Sequence, residues 1–119
     1  MRNLILAFIF CIPLVVSAQK GDNNYNVISD GIVKLYNDNK YTEIYSLYSP
    51  MLKKFQSPDE SKKYLDEIKG KYGKISNKKF VKFQQNYGIF ECQAEKGKVN
   101  LRISLDEQKR LVAFNFGPQ

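Results

Sequence analysis

Lys98-Val99-Asn100-Leu101-Arg102-Ile103-Ser104-Leu105 alternates polar and apolar residues with a strict period of two. Successive side chains of a β-strand point to opposite faces, so this is the pattern of a strand with one buried and one wetter face. Residues 111–116 repeat it, with Val112, Phe114 and Phe116 set against Ala113 and Asn115. Upstream, residues 87–94 and 79–83 read as two further strands, and Ile75 offers an earlier start for the first. The connections are short and polar: Gln84-Gln85-Asn86, Glu95-Lys96-Gly97 and residues 106–109. Gly97 suits a hairpin position that needs positive φ. Residues 79–116 thus read as a meander of about four strands.

What precedes the meander has helical spacing. Ile28, Ile32, Leu35 and Tyr36 predict a first helix over residues 25–37, ended by the turn cluster Asn37-Asp38-Asn39. Ile44, Leu47, Tyr48, Met51, Leu52 and Phe55 mark one apolar stripe of a second helical stretch, which Pro50 should break or kink. In Ser57-Pro58-Asp59-Glu60, the serine can cap a helix, the proline fits its first position, and the glutamate can reach back in a capping box. The helix that follows buries Leu65, Ile68 and Tyr72, and Gly73 fits the left-handed position past its end. Helices first and antiparallel strands afterwards predict an α+β fold, with N-terminal helices packed on one face of a curved sheet.

The N-terminus reads as an export signal. Arg2 and Asn3 give a short positive start, residues 4–16 are almost unbroken apolar, and Val16-Ser17-Ala18 ends on small residues. That order predicts a signal peptide over residues 1–18, cleaved after Ala18. The apolar run of about 13 residues is shorter than the roughly 20 that a membrane span needs. Residues 19–24 are polar and read as a loose N-terminus, leaving 25–119 as one small domain. The expected location is periplasmic or secreted.

Charge and cysteines limit the chemistry. The chain carries 19 Lys and Arg against 12 Asp and Glu, a net charge of +7, or +6 after loss of Arg2 with the signal. The lysines are scattered among carboxylates, which describes a solvated basic surface rather than a nucleic-acid groove. Cys92 alone would survive cleavage, so no internal disulfide forms in the mature chain. It shares a strand face with Phe90 and Ala94 and reads as a small buried hydrophobe. With no histidine, the commonest acid–base group and metal ligand is missing. No phosphate loop or metal-spaced cluster is present, so no cofactor is expected.

Leu35-Tyr36-Asn37-Asp38-Asn39-Lys40-Tyr41, followed by Ile44-Tyr45-Ser46-Leu47-Tyr48-Ser49-Pro50-Met51, resembles the opening of small nuclear transport factor 2-like domains. Tyr72-Gly73-Lys74-Ile75 and residues 100–106 are also similar to that family. Some of its exported bacterial members are attached to the N-terminus of serine hydrolases of the β-lactamase and penicillin-binding class. The resemblance covers essentially the whole mature chain and implies a helix-lined cone of curved sheet. The hydrolase is not in this chain. Ser76 and Lys79 have the spacing of a Ser-x-x-Lys nucleophile, without the chain around them to build that fold.

Enzymes of that architecture use a carboxylate base and tyrosine donors inside the cone, and Glu91 and Glu43 are the carboxylates to consider. Glu91 and Arg102 sit on strand faces that could meet across a hairpin as an ion pair. Tyr36, Tyr48, Tyr72 and Tyr87, with Glu91 and Arg102, are the residues expected to line a pocket for a small apolar ligand, if the cone is open. The reading preferred from sequence is a non-catalytic exported binding or protein-interaction module of the cell envelope. Its expected partners are a second copy or an envelope protein on the sheet face. The alternatives are a carrier of a small apolar ligand and an enzyme of isomerase or dehydratase type.

Overall fold

The computed structural model describes residues 12–118, with side chains from Asn24 onward. Four helices precede four strands: α1 (Ile12–Asn37), α2 (Tyr41–Tyr45), α3 (Pro50–Phe55), α4 (Pro58–Tyr72), β1 (Ile75–Gln84), β2 (Tyr87–Ala94), β3 (Gly97–Leu105) and β4 (Leu111–Gly117). The strands form one open antiparallel sheet in the order β1-β2-β3-β4. The fold is α+β, as the patterning predicts.

Register explains why one sheet face is dry. Phe90 stands opposite Leu101 and Cys92 opposite Val99, while Leu101 pairs with Phe116 and Ile103 with Phe114. Alternation then puts Phe90, Cys92, Val99, Leu101, Ile103 and Phe116 on the face that meets Ile32, Tyr36, Ile44, Tyr48 and Leu65 from the helices. The other face carries Lys79, Glu91, Gln93, Lys98, Asn100, Arg102 and Asn115. In β1 the ladder slips between Phe80 and Lys82. The extra residue lets Phe80 and Phe83 turn toward the same side, with ring centroids 5.1 Å apart.

The turns follow local chemistry. Gln85 and Asn86 both take positive φ, as a two-residue hairpin requires, and Gly97 takes φ 138° where β3 begins. Asp106 closes the last turn by accepting from the Gln108 and Arg110 backbone N–H groups and from Arg110 Nε. The capping box is complete: Ser57 Oγ accepts from Glu60 N at 3.1 Å and Glu60 Oε1 from Ser57 N at 2.8 Å. In α4, Leu65 is fully buried, while Ile68 and Tyr72 are half-buried.

Three expectations change. The backbone of α1 is helical from Ile12 through residues 19–24, where composition predicts a loose stretch; Pro13, its second residue, is tolerated in a first helical turn. The signal-peptide reading falls on residues 1–18, of which 1–11 lie outside the described residues. The second helical stretch is two short helices with one stripe no longer shared. Residues 46–49 leave the helix so that Tyr48 bridges Leu111 of β4, and this re-phases α3. Leu52 alone then leans on the core, and Met51 and Phe55, expected on its buried stripe, face solvent. Gly73 has the positive φ expected, 80°, but its ψ of −164° is extended rather than left-handed helical.

Gly73 also has no room for a side chain, because a Cβ there would lie 2.8 Å from the Glu95 Cβ and run into its carboxylate. Glu95 cannot simply withdraw, since its Oε1 accepts from Lys74 N at 2.8 Å. Gly73→Ala is therefore expected to destabilise the fold by about 1–3 kcal/mol, measured by urea unfolding. Stability within a few tenths of wild type would contradict this reading of the turn.

Candidate functional site

The six residues expected to line one pocket do not converge. Tyr36 and Tyr48 are buried on the inner face, Tyr72 is half-buried near the end of α4, and Tyr87, Glu91 and Arg102 lie along β2 and β3. Ile89 opposes Arg102 and Glu91 opposes Asn100, so Glu91 and Arg102 are diagonal neighbours on the outer face rather than facing partners. Arg102 turns toward β4 instead, where Nη1 donates to Asn115 Oδ1 at 3.4 Å and Nη2 to the Pro118 carbonyl at 3.3 Å. A shallow depression of about 220 Å³ on that face is lined by Asn77, Lys79, Glu91 and Lys98 among others. Glu43 is exposed on α2.

The inner tyrosines are consumed by the chain itself. Tyr36 Oη donates to the Gly73 carbonyl at 2.7 Å, and its ring lies 5.2 Å from that of Phe116. Tyr48 Oη lies 2.9 Å from both Gln56 Oε1 and Ser61 Oγ. Tyr64 Oη accepts from Phe116 N at 2.8 Å and donates to the Phe116 carbonyl at 3.1 Å, fixing the end of β4 against α4. Burial pushes all three phenols above their ordinary range, because a phenolate would lose its solvation there. All three hydroxyls have partners within the fold.

Asn37, read from sequence only as part of a turn, and Lys69, which the sequence reading did not single out, join this network. Asn37, at the end of α1, acts as a strand partner: Nδ2 donates to the Ile75 carbonyl at 2.8 Å and Oδ1 accepts from Ile75 N at 2.9 Å. Lys69 reaches from α4 to the carbonyls of Tyr36 and Asn37, at 3.0 and 3.3 Å, and to Asn39 Oδ1 at 2.7 Å. A cation at the last carbonyls of a helix satisfies orphan acceptors and complements the helix dipole. Its pKa is lowered, first by desolvation and then by nearby Lys74. The turn cluster after Tyr36 signals a helix end, but no pattern in the sequence reveals that Lys69 will reach it from a distance of about two helices.

Among the described residues, no group of three or more Cys, Asp or Glu side chains is placed to hold a metal ion, and no helix is long and apolar enough to cross a membrane. Carboxylates are dispersed over the surface; one open depression of about 380 Å³ on α4 mixes Asp59, Asp66 and Glu67 with Lys62 and Lys63. Exposed apolar side chains sit elsewhere, on α1, on α3 and near the β1 edge, namely Val27, Met51, Phe55, Val81 and Phe83.

The architecture defines a small α+β protein of helices laid on an open four-strand meander. Residues 29–114 match the family described as Protein of unknown function (DUF3887), and the chain belongs to that family. Neither a curated protein nor a solved structure matches the chain.

Cys92 provides a pH test of the same interior. It is fully buried between Phe90 and Ala94, and burial pushes its thiol from 9.0 up to about 11. An unfolded thiol therefore releases its proton near pH 9, while the folded one keeps it for about two more pH units. Over that window the folded state holds more protons, so its stability is complete below pH 9 and falls as pH rises toward 11. Relative to Cys92→Ala, wild type should lose on the order of 2 kcal/mol across this window in urea titrations. Parallel curves for the two proteins would contradict the buried placement.

Proposed function

We propose that this protein is a non-catalytic binding or interaction module exported to the bacterial cell envelope, acting through its outer surface. The observation that carries the reading is the occupation of the inner tyrosines. Tyr36, Tyr48 and Tyr64 hold Gly73, Gln56, Ser61 and Phe116, so an interior ligand would have to displace contacts that join the helical segments to one another and, at Phe116, α4 to the sheet. The carrier and enzyme readings both require that displacement. Export is supported by the charge, apolar run and small residues of 1–18.

The element order also supports relating this family to nuclear transport factor 2-like domains. Two of the sequence phrases that carry the resemblance, 35–41 and 72–75, meet in space: Tyr36 bonds Gly73 and Asn37 bonds Ile75. In this reading the shared residues are shared for architecture, and function belongs to surfaces that differ between relatives.

The test is native mass spectrometry of the protein taken from its own host's envelope. The expected species begins at Gln19 and carries no stoichiometric small molecule. A chain still beginning at Met1 would overturn export, and a tightly held small molecule would overturn the non-catalytic reading in favour of a carrier or enzyme.

A further inference from the structure

The geometry points to α3 as a docking tip for anionic phospholipid, with Met51 and Phe55 entering the interface and Lys53 and Lys54 meeting the headgroups. This deepens the preceding reading by naming the partner, and rests on it only for where the protein meets a membrane.

Met51 and Phe55 are 64% and 79% exposed, Phe55 being the most exposed of the large hydrophobics among the described residues. Single exposed apolar residues are ordinary on a protein surface. These two are four apart on one helix, so their side chains are neighbours and form a joint apolar tip. Pro50, also exposed, precedes them.

The tip is held rigidly. Ser49 N donates to the Leu111 carbonyl at 2.7 Å, Leu111 N donates to the Leu47 carbonyl at 2.9 Å, and Ser49 Oγ caps α3 by accepting from Leu52 N at 3.1 Å. These bonds fasten the segment leading into α3 to the edge of β4, while Leu52 plugs α3 into the core. Met51 and Phe55 cannot turn inward without breaking that clamp. The exposure is thus built into the fold rather than left to a loose loop.

Charge selects the occupant. α3 contains two lysines and no carboxylate, and both lysines are exposed, Lys54 nearer the Met51–Phe55 side and Lys53 with its Nζ over the Tyr45 ring at 5.4 Å. Asp59 and Glu60 follow on α4, but the Glu60 carboxylate is turned back onto Ser57 N in the capping box. The whole chain is +7. A short helix with apolar tips flanked by ammonium groups matches the boundary between acyl chains and anionic headgroups. Lysine has the added property that its long stem can lie along apolar surface while its charge stays in water.

The experiment uses the protein as its host accumulates it, sedimented with phosphatidylcholine vesicles that either lack phosphatidylglycerol or contain roughly 30% of it. Wild type is expected to bind the anionic vesicles, not the neutral ones, and to be released when salt rises from about 0.1 M to 0.5 M. The pair Met51→Ser/Phe55→Ser and the pair Lys53→Gln/Lys54→Gln should each weaken binding at least about tenfold. Both pairs alter exposed side chains, and an unchanged thermal midpoint verifies that they fold. Val27→Ser removes another exposed apolar side chain, on α1, and should leave binding unaltered. Binding that survives either pair, equal binding to neutral vesicles, or no binding at all would overturn the proposal. Vesicle binding does not depend on export, so a failure here is distinguishable from a failure of the envelope reading.

Discussion

The structure depends on the junction where α1 ends, α4 ends and β1 begins. Three side chains make it: Tyr36 on the Gly73 carbonyl, Asn37 on both backbone groups of Ile75, and Lys69 on the last carbonyls of α1. Each satisfies a backbone group that would otherwise be stranded at the end of an element, where burial without a partner costs about 1–3 kcal/mol. Together they tie the ends of α1 and α4 to the start of the sheet. From there the meander needs only short turns, because each strand pairs with the next.

Fixing the sheet this way brings its inner face close to the helices. The Tyr36 ring meets Phe116, Tyr48 meets Ser61, and Leu65 fills the space behind them. A fold that could enclose a ligand uses aromatic rings of its own there. The hydroxyls of Tyr36 and Tyr64, the Asn37 amide and the Lys69 ammonium hold strands and helix ends. In the proposed reading the working surface is outside: a basic, partly apolar tip on α3 and a polar sheet face on which Arg102 is tied to β4.

Much of this was legible in the residues. The period-two alternation from Val99 to Leu105 specifies the strand and its buried face, and Ser57-Pro58-Asp59-Glu60 specifies the start of α4, because both are local rules. The placement of Cys92 with Phe90 and Ala94 follows from the same alternation. Met51 and Phe55 were misplaced because helical spacing assumes an unbroken phase, and the Tyr48–Leu111 bridge resets that phase through a contact distant in sequence. The grouping of Tyr36, Tyr48, Tyr72, Tyr87, Glu91 and Arg102 failed for a related reason. Residue type suggested a common pocket, while the sheet register sent Glu91 and Arg102 to the face opposite Tyr36 and Tyr48. Lys69 was invisible for want of any local pattern linking it to the end of α1.

Tyr36, Tyr48, Leu65, Leu101 and Phe116 pack into one core between helices and sheet. Xenon occupies dry apolar cavities without needing polar contacts, so it reports empty interior space directly. In crystals of the protein pressurised with xenon, no ordered xenon is expected among Tyr36, Tyr48, Leu101 and Phe116. A well-occupied xenon atom there would reveal an open interior and contradict the filled packing on which the proposed reading rests.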